Sequence, residues 1–139
     1  MPKLFLKDWW QAVSRELPKK DRAKLKDQEV TLVFVTKKES QKLNHQYRKK
    51  NYPTDVLSFA GMHKGHLGDL AICPEVVKKQ AKEHRLTYQQ ELGYMVLHGL
   101  LHLLGYDHEE DERRARQMMT LQDKIFDALV PIKRKGRAK

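Results

Sequence analysis

The sequence predicts an α+β fold, a single small mixed β-sheet with surrounding helices. Three short apolar or β-branched runs alternate with segments of helical periodicity. The last two runs are joined only by a turn, most simply as an antiparallel hairpin. The most apolar segment of the chain, residues 88–104, has the length of a helix and not of a strand.

Each element has its own signal. DWWQAVSREL, residues 8–17, opens with Asp8 as an N-cap and repeats apolar residues at Trp9, Trp10, Val13 and Leu17, all expected in the core. Pro18 ends it. EVTLVFV, 29–35, is apolar almost throughout, as a strand buried on both faces would be. A polar helix over 38–48 is expected to be anchored by Leu43 and Tyr47. TDVLSFA, 54–60, and LGDLAIC, 67–73, flank the turn-rich GMHKGH and predict an antiparallel hairpin. Pro74 suits the first position of the helix PEVVKKQAKEHR. Gly105 suits the residue that ends helix 88–104, and a last amphipathic helix covers about 109–129.

The length, 139 residues, predicts one domain over 1–131, followed by the basic C-terminal tail 132–139. No run approaches the roughly 18 to 20 apolar residues of a membrane span, and no membrane partner is expected. The start, MPKLFLKDWW, carries no long apolar stretch of a secretory signal. The single cysteine, Cys73, permits no internal disulfide, fits a reducing compartment and excludes a Cys-rich metal site, so a cytoplasmic location is expected. Cys73 itself is expected to be a small buried residue. Lys and Arg total 28 against 18 Asp and Glu, a net charge of +10 that favours polyanionic partners by counterion release and steering.

The stretch HGLLHLLGYDH, 98–108, places three imidazoles in an otherwise apolar segment. His98 and His102 are one helical turn apart, with Cβ atoms roughly 5 to 6 Å apart on one face. Gly105 allows φ > 0 and a chain reversal, which returns His108 towards the pair. Three neutral imidazoles at about 2.0 to 2.1 Å would leave the fourth tetrahedral position on Zn²⁺ open, the mark of a catalytic site. One ion per chain is expected, at the C-terminal end of a central buried helix, with Ni²⁺ and other divalent metals as alternatives. With 7 histidines in 139 residues, the spacing would arise by chance about 0.02 times. The same frame in metzincin peptidases has a catalytic Glu after the first His, where Gly99 stands here, so other chemistry is indicated.

HGLLHLLGYDH, LNHQYRKKNYPTDVLSF (43–59) and LGDLAICPEVV (67–77) together resemble the YbeY family of metal-dependent endoribonucleases. The resemblance covers most of the chain beyond residue 28 and presents three motifs in order. It implies a compact α+β fold, zinc on His98, His102 and His108, and a catalytic arginine facing the metal at Arg48. It further implies 16S rRNA end processing, ribosome quality control and contacts with small-subunit proteins. The chain departs from the family at Asn51, where an acidic residue is common, at Ala60, often proline, and at Gln122, commonly glutamate. These positions bear on substrate contacts and rim electrostatics more than on the histidines.

The residues alone favour a solvated cation run of Arg48 with Lys49 and Lys50, and it is the resemblance that reverses this, implying a guanidinium that clamps phosphate and stabilises charge growing on its oxygens. Asp107 would cap the following helix or accept the free N–H of His108. His63 and His66 lack further ligands and read as a hairpin tip. Thr54, Asp55 and Ser58 would line a cleft or, for the first two, shape a turn. The function expected is a single-strand-preferring metal-dependent endoribonuclease whose partners are rRNA and the small ribosomal subunit, not DNA. The competing readings are a ribosome-assembly binding factor with a mainly structural metal and a zinc hydrolase of a non-RNA bond.

Overall fold

The computed structural model describes residues 3–106 and 111–130, six helices and a three-stranded sheet. The basic tail 132–139 lies outside the described residues. Helix α1 (Lys3–Glu16) begins before Asp8, which is an exposed interior residue and not its cap. The reason is visible in the packing: Leu6 is part of the same apolar stripe as Trp10 and Val13, so the stripe and the helix extend further back. Trp9 and Leu17 are buried as expected, while Trp10 packs partly against the core.

A short helix absent from the sequence reading, α2 (Lys19–Leu25), starts at once after Pro18, whose carbonyl accepts from Asp21 N and Arg22 N at 2.9 and 3.0 Å. Its sequence, KKDRAKL, has almost no apolar periodicity, and a proline that stops one helix can open the next.

The sheet has the order β1–β3–β2, formed by β1 (Glu29–Phe34), β2 (Val56–Ala60) and β3 (His66–Ile72). β1 runs parallel to β3, with Leu32 opposite Leu70, and β2 runs antiparallel to it, with Ser58 opposite Leu70. The mixed sheet and the hairpin are therefore as predicted. The expectation that β1 is buried on both faces is not met: it is an edge strand, and Val33 and Phe34 are each 44% exposed. Its composition records β propensity, whereas burial follows position in the sheet. The central position belongs to β3, where Leu70 and Ile72 are fully buried.

Helix α3 (Lys37–Arg48) has a capping box, with Thr36 Oγ1 accepting from Glu39 N and Glu39 Oε1 accepting from Thr36 N. The backbone and hydroxyl donors of Thr36 hold the Glu39 carboxyl below its ordinary range. Its predicted anchor Tyr47 is 59% exposed, and the helix face turned inward carries Ser40 and Asn44 instead. These two are buried because they hydrogen-bond the chain that follows α3, a role hydropathy does not register.

Helix α4 (Pro74–His84) opens on Pro74. α5 (Tyr88–Leu101) is the central helix, with Leu92, Leu97, Leu100 and Leu101 fully buried between the sheet and α6 (Glu112–Leu129). Two close approaches set its position. Trp9 Nε1 donates to Gly93 O at 2.9 Å, and a Cβ on Gly93 would lie 2.9 Å from the indole. Phe126 of α6 meets Tyr94 edge to face at 5.0 Å.

Candidate functional site

The C-terminal end of α5 presents the two histidines. His98 is in its last turn and His102 follows the helix directly, so both rings leave the same face. Their centroids are 4.6 Å apart and their Nε2 atoms 3.0 Å apart. His98 Nδ1 donates to Gln122 Oε1 at 3.0 Å, from a glutamine that is completely buried in α6. That bond places the ring proton on Nδ1 and turns the Nε2 lone pair towards His102. Two imidazole nitrogens this close must share either a proton or a cation.

Gly99 faces the opposite way. A Cβ there would lie 2.6 Å from Leu70 Cδ2, so the helix can approach β3 only where a side chain is missing. The position after His98 is therefore a packing contact with the sheet, and it has no room for a carboxylate.

After Leu101 the helix widens into one π turn, His102–Tyr106, in which Gly105 has the positive φ expected of it, 103°. Among the described residues nothing lies within 4 Å of a Cβ at Gly105, and it is the positive φ that favours glycine there. α2 fastens this turn from outside. Lys24 Nζ donates to Leu104 O at 3.1 Å, and Tyr106 OH donates to Asp21 Oδ2 at 2.7 Å, with Asp21 fully buried. Burial, the hydrogen bond and the charge of Asp21 together push the Tyr106 hydroxyl up to about 12.

His108 and Asp107 lie outside the described residues. Among the described residues no group of three His, Cys, Asp or Glu side chains could hold a metal ion. His98 and His102 are the nitrogen pair that could begin one. The cap of α6 is Asp111, which accepts from Arg113 N and Arg114 N at 3.0 and 3.3 Å.

Arg48 is the last residue of α3 and half-buried. The chain after it leads into β2, which packs against both α5 and the π turn. Thr54 and Asp55 lead directly into β2: Asp55 Oδ1 accepts from Thr54 Oγ1 and Val56 N, and Asp55 O accepts from Cys73 N. Ser58 lies within β2. His63 is exposed at the hairpin tip, while His66 bonds Asp69 at 3.0 Å at the start of β3. Cys73 is fully buried.

Gln122, expected to bear on substrate contacts and rim electrostatics more than on the histidines, instead bonds His98 directly, because packing of α6 on α5 brings its amide to the ring; Asp21 and Lys24 are not assigned to the site by sequence at all. For Gln122 a signal existed: it interrupts the buried stripe of Met118, Ile125 and Phe126 with a polar residue. For Asp21 and Lys24 there was none, because their partners are 80 or more positions away.

Residues 2–130 match the family described as Endoribonuclease YbeY. Endoribonuclease YbeY of Bdellovibrio bacteriovorus is 55% identical over 131 residues, covering 93% of this chain and 87% of its own. Endoribonuclease YbeY of Staphylococcus carnosus is 40% identical over 130 residues, with 82% and 85% covered. A solution structure of a Thermotoga maritima protein shares the fold at a TM-score of 0.61 and 28% identity, over 99% of this chain and 96% of that one.

Proposed function

The chain belongs to the endoribonuclease YbeY family, and from that premise we propose that it is a metal-dependent, single-strand-preferring endoribonuclease of 16S rRNA 3′-end maturation and ribosome quality control. The observation that carries the metal assignment is the pair of Nε2 atoms at 3.0 Å, one of them with its tautomer set by Gln122. Two nitrogens bound tetrahedrally at 2.0 to 2.1 Å to one ion stand about 3.3 Å apart, so the rings need to part by only a few tenths of an ångström. The donor set also fits: neutral imidazoles, no thiolate nearby, and a buried acceptor behind one ligand. His98 and His102 would hold zinc, or another divalent ion, with His108 as the third ligand.

Bound there, the ion would supply Lewis acidity towards a phosphate oxygen and a more acidic water. The protein's own contributions are positional and electrostatic. Arg48 would orient a phosphate and balance charge growing on its oxygens, which a lysine does less specifically. Gly99 supplies no general base, which separates this site from a peptidase of the same histidine frame. The excess of 28 basic over 18 acidic residues would gather RNA and steer it in. Small-subunit proteins are the partners this role implies, and the cytoplasm is where that substrate is made.

The test is cleavage of an rRNA fragment with single-stranded tails, with metal content measured on the same sample, before and after chelation and zinc return. About one metal per chain, with cleavage lost and regained alongside it, is the expected result. Intact RNA at full metal occupancy would overturn the assignment.

A further inference from the structure

Two tyrosines at the end of α3 and just after it are largely exposed. Tyr47 and Tyr52 are 59% and 54% exposed, and they flank the cation run Arg48, Lys49 and Lys50. Neither ring serves the core, yet the backbone that carries them is firmly held. Ser40, Asn44 and Tyr47 form one stripe of α3, at spacings of four and three. The first two tie down the segment that follows the helix. Ser40 Oγ donates to Thr54 O and accepts from Thr54 N, both at 2.9 Å. Asn44 Nδ2 donates to Tyr52 O at 2.8 Å. Gln41 Nε2 adds a bond to Asn51 Oδ1 at 3.0 Å, and Lys49 turns the chain with φ of 59°.

Tyr47, the third residue of the stripe, meets Phe59 of β2 edge to face, centroids 5.1 Å apart and planes at 74°. An edge-to-face contact steadies a ring without covering it. β2 in turn packs against α5 and the π turn that begins at His102. Phe59 stands opposite Asp69 in the sheet, on the face turned away from Leu70, Gly68 and the helix end that carries the histidines, so the tyrosine surface and the histidine pair lie on opposite faces of the sheet.

Steadied, exposed aromatic rings interleaved with cations are the combination that holds single-stranded nucleic acid, because bases stack on rings and phosphates pair with the charges. We propose that Tyr47 and Tyr52, together with Lys49 and Lys50, form a base-stacking platform that holds an unpaired RNA strand. The proposal rests on the endoribonuclease reading for its ligand. It also assigns a physical origin to the single-strand preference, since bases in a duplex are already stacked on one another.

The test uses the metal-loaded full chain and two uncleavable probes of equal length, a 2′-O-methyl oligouridylate and an abasic strand. Wild type should prefer the base-bearing probe. Tyr47→Leu and Tyr52→Leu should each weaken its binding about 5- to 100-fold, with the salt dependence unchanged. Lys49→Gln and Lys50→Gln should each lower the slope of log K against log salt by about 0.7 and leave the base preference intact. Tyr47→Phe and Tyr52→Phe should bind as wild type, which separates stacking from the hydroxyl. Because Tyr47 also touches Phe59, Tyr52→Leu is the variant that reports stacking without disturbing β2. If wild type cleaves RNA but binds both probes alike, or if Tyr52→Leu binds as wild type, the platform is wrong and the nuclease reading stands. If wild type neither binds nor cleaves RNA, both fall together.

Discussion

Replacing Gln122 by methionine separates the two functions that one buried amide performs. Its Oε1 accepts from His98 Nδ1 at 3.0 Å, while its Nε2 has no partner among the described residues. Methionine fills a similar volume and removes both atoms. Loss of the acceptor leaves a half-buried imidazole N–H unsatisfied, about 1 to 3 kcal/mol, and frees His98 to adopt the other tautomer. That range agrees with the 10- to 100-fold, about 1.4 to 2.7 kcal/mol, by which such supporting partners usually change metal affinity. Loss of the orphaned Nε2, however, removes a burial cost of comparable size. Gln122→Met should therefore bind zinc 10- to 100-fold more weakly while the metal-free protein unfolds within about 1 kcal/mol of wild type. Gln122→Glu, with a stronger acceptor for the same N–H, should bind at least as tightly as wild type. Competition against a chelating zinc indicator measures the affinities, urea unfolding of the metal-free proteins measures stability, and ring ¹⁵N shifts identify the His98 tautomer. A folded Gln122→Met that binds zinc within twofold of wild type would refute the argument.

Arg48→Ala should retain its metal and lose roughly 10²- to 10³-fold in turnover on single-stranded RNA, the scale of one transition-state donor, and an unchanged rate would remove Arg48 from the mechanism. Tyr106 has its folded value raised to about 12 from 10.0, so the neutral hydroxyl is favoured by folding. The stability it contributes is complete below about pH 10 and is lost as pH rises towards 12. Tyr106→Phe should flatten that part of a stability–pH profile and cost about 1 to 3 kcal/mol at neutral pH by leaving buried Asp21 without its donor; an unaltered alkaline slope would contradict the assignment. Gly99→Ala sets a helix-propensity gain of about 1 kcal/mol against overpacking of roughly 1 to 3 kcal/mol, since its Cβ falls 2.6 Å from Cδ2 of the fully buried Leu70. A net loss is expected in urea unfolding, and a gain would mean that Leu70 turns aside freely.

Much of this protein is local, and the local part is legible in the sequence. The hairpin, the proline that opens α4, the one-turn spacing of His98 and His102 and the positive φ at Gly105 each follow from a few neighbouring residues. Periodicity, turn chemistry and ligand spacing act over such distances, and so did the motifs that identify the family. What required the tertiary structure was relative position. That β1 lies at an edge is decided by strand order, which its own composition does not encode. That Tyr47 is exposed while Ser40 and Asn44 are buried depends on which chain segment returns across α3. The supports of the histidine turn come from far away in sequence: Gln122 is 24 residues from His98, and Asp21 is 85 from Tyr106. Each is a single polar contact across the core, made only after the apolar faces of α5, α6 and the sheet have brought distant backbone together. The sequence determines that imidazoles stand ready at one helix end; packing determines which nitrogen carries the proton and what holds the turn in place.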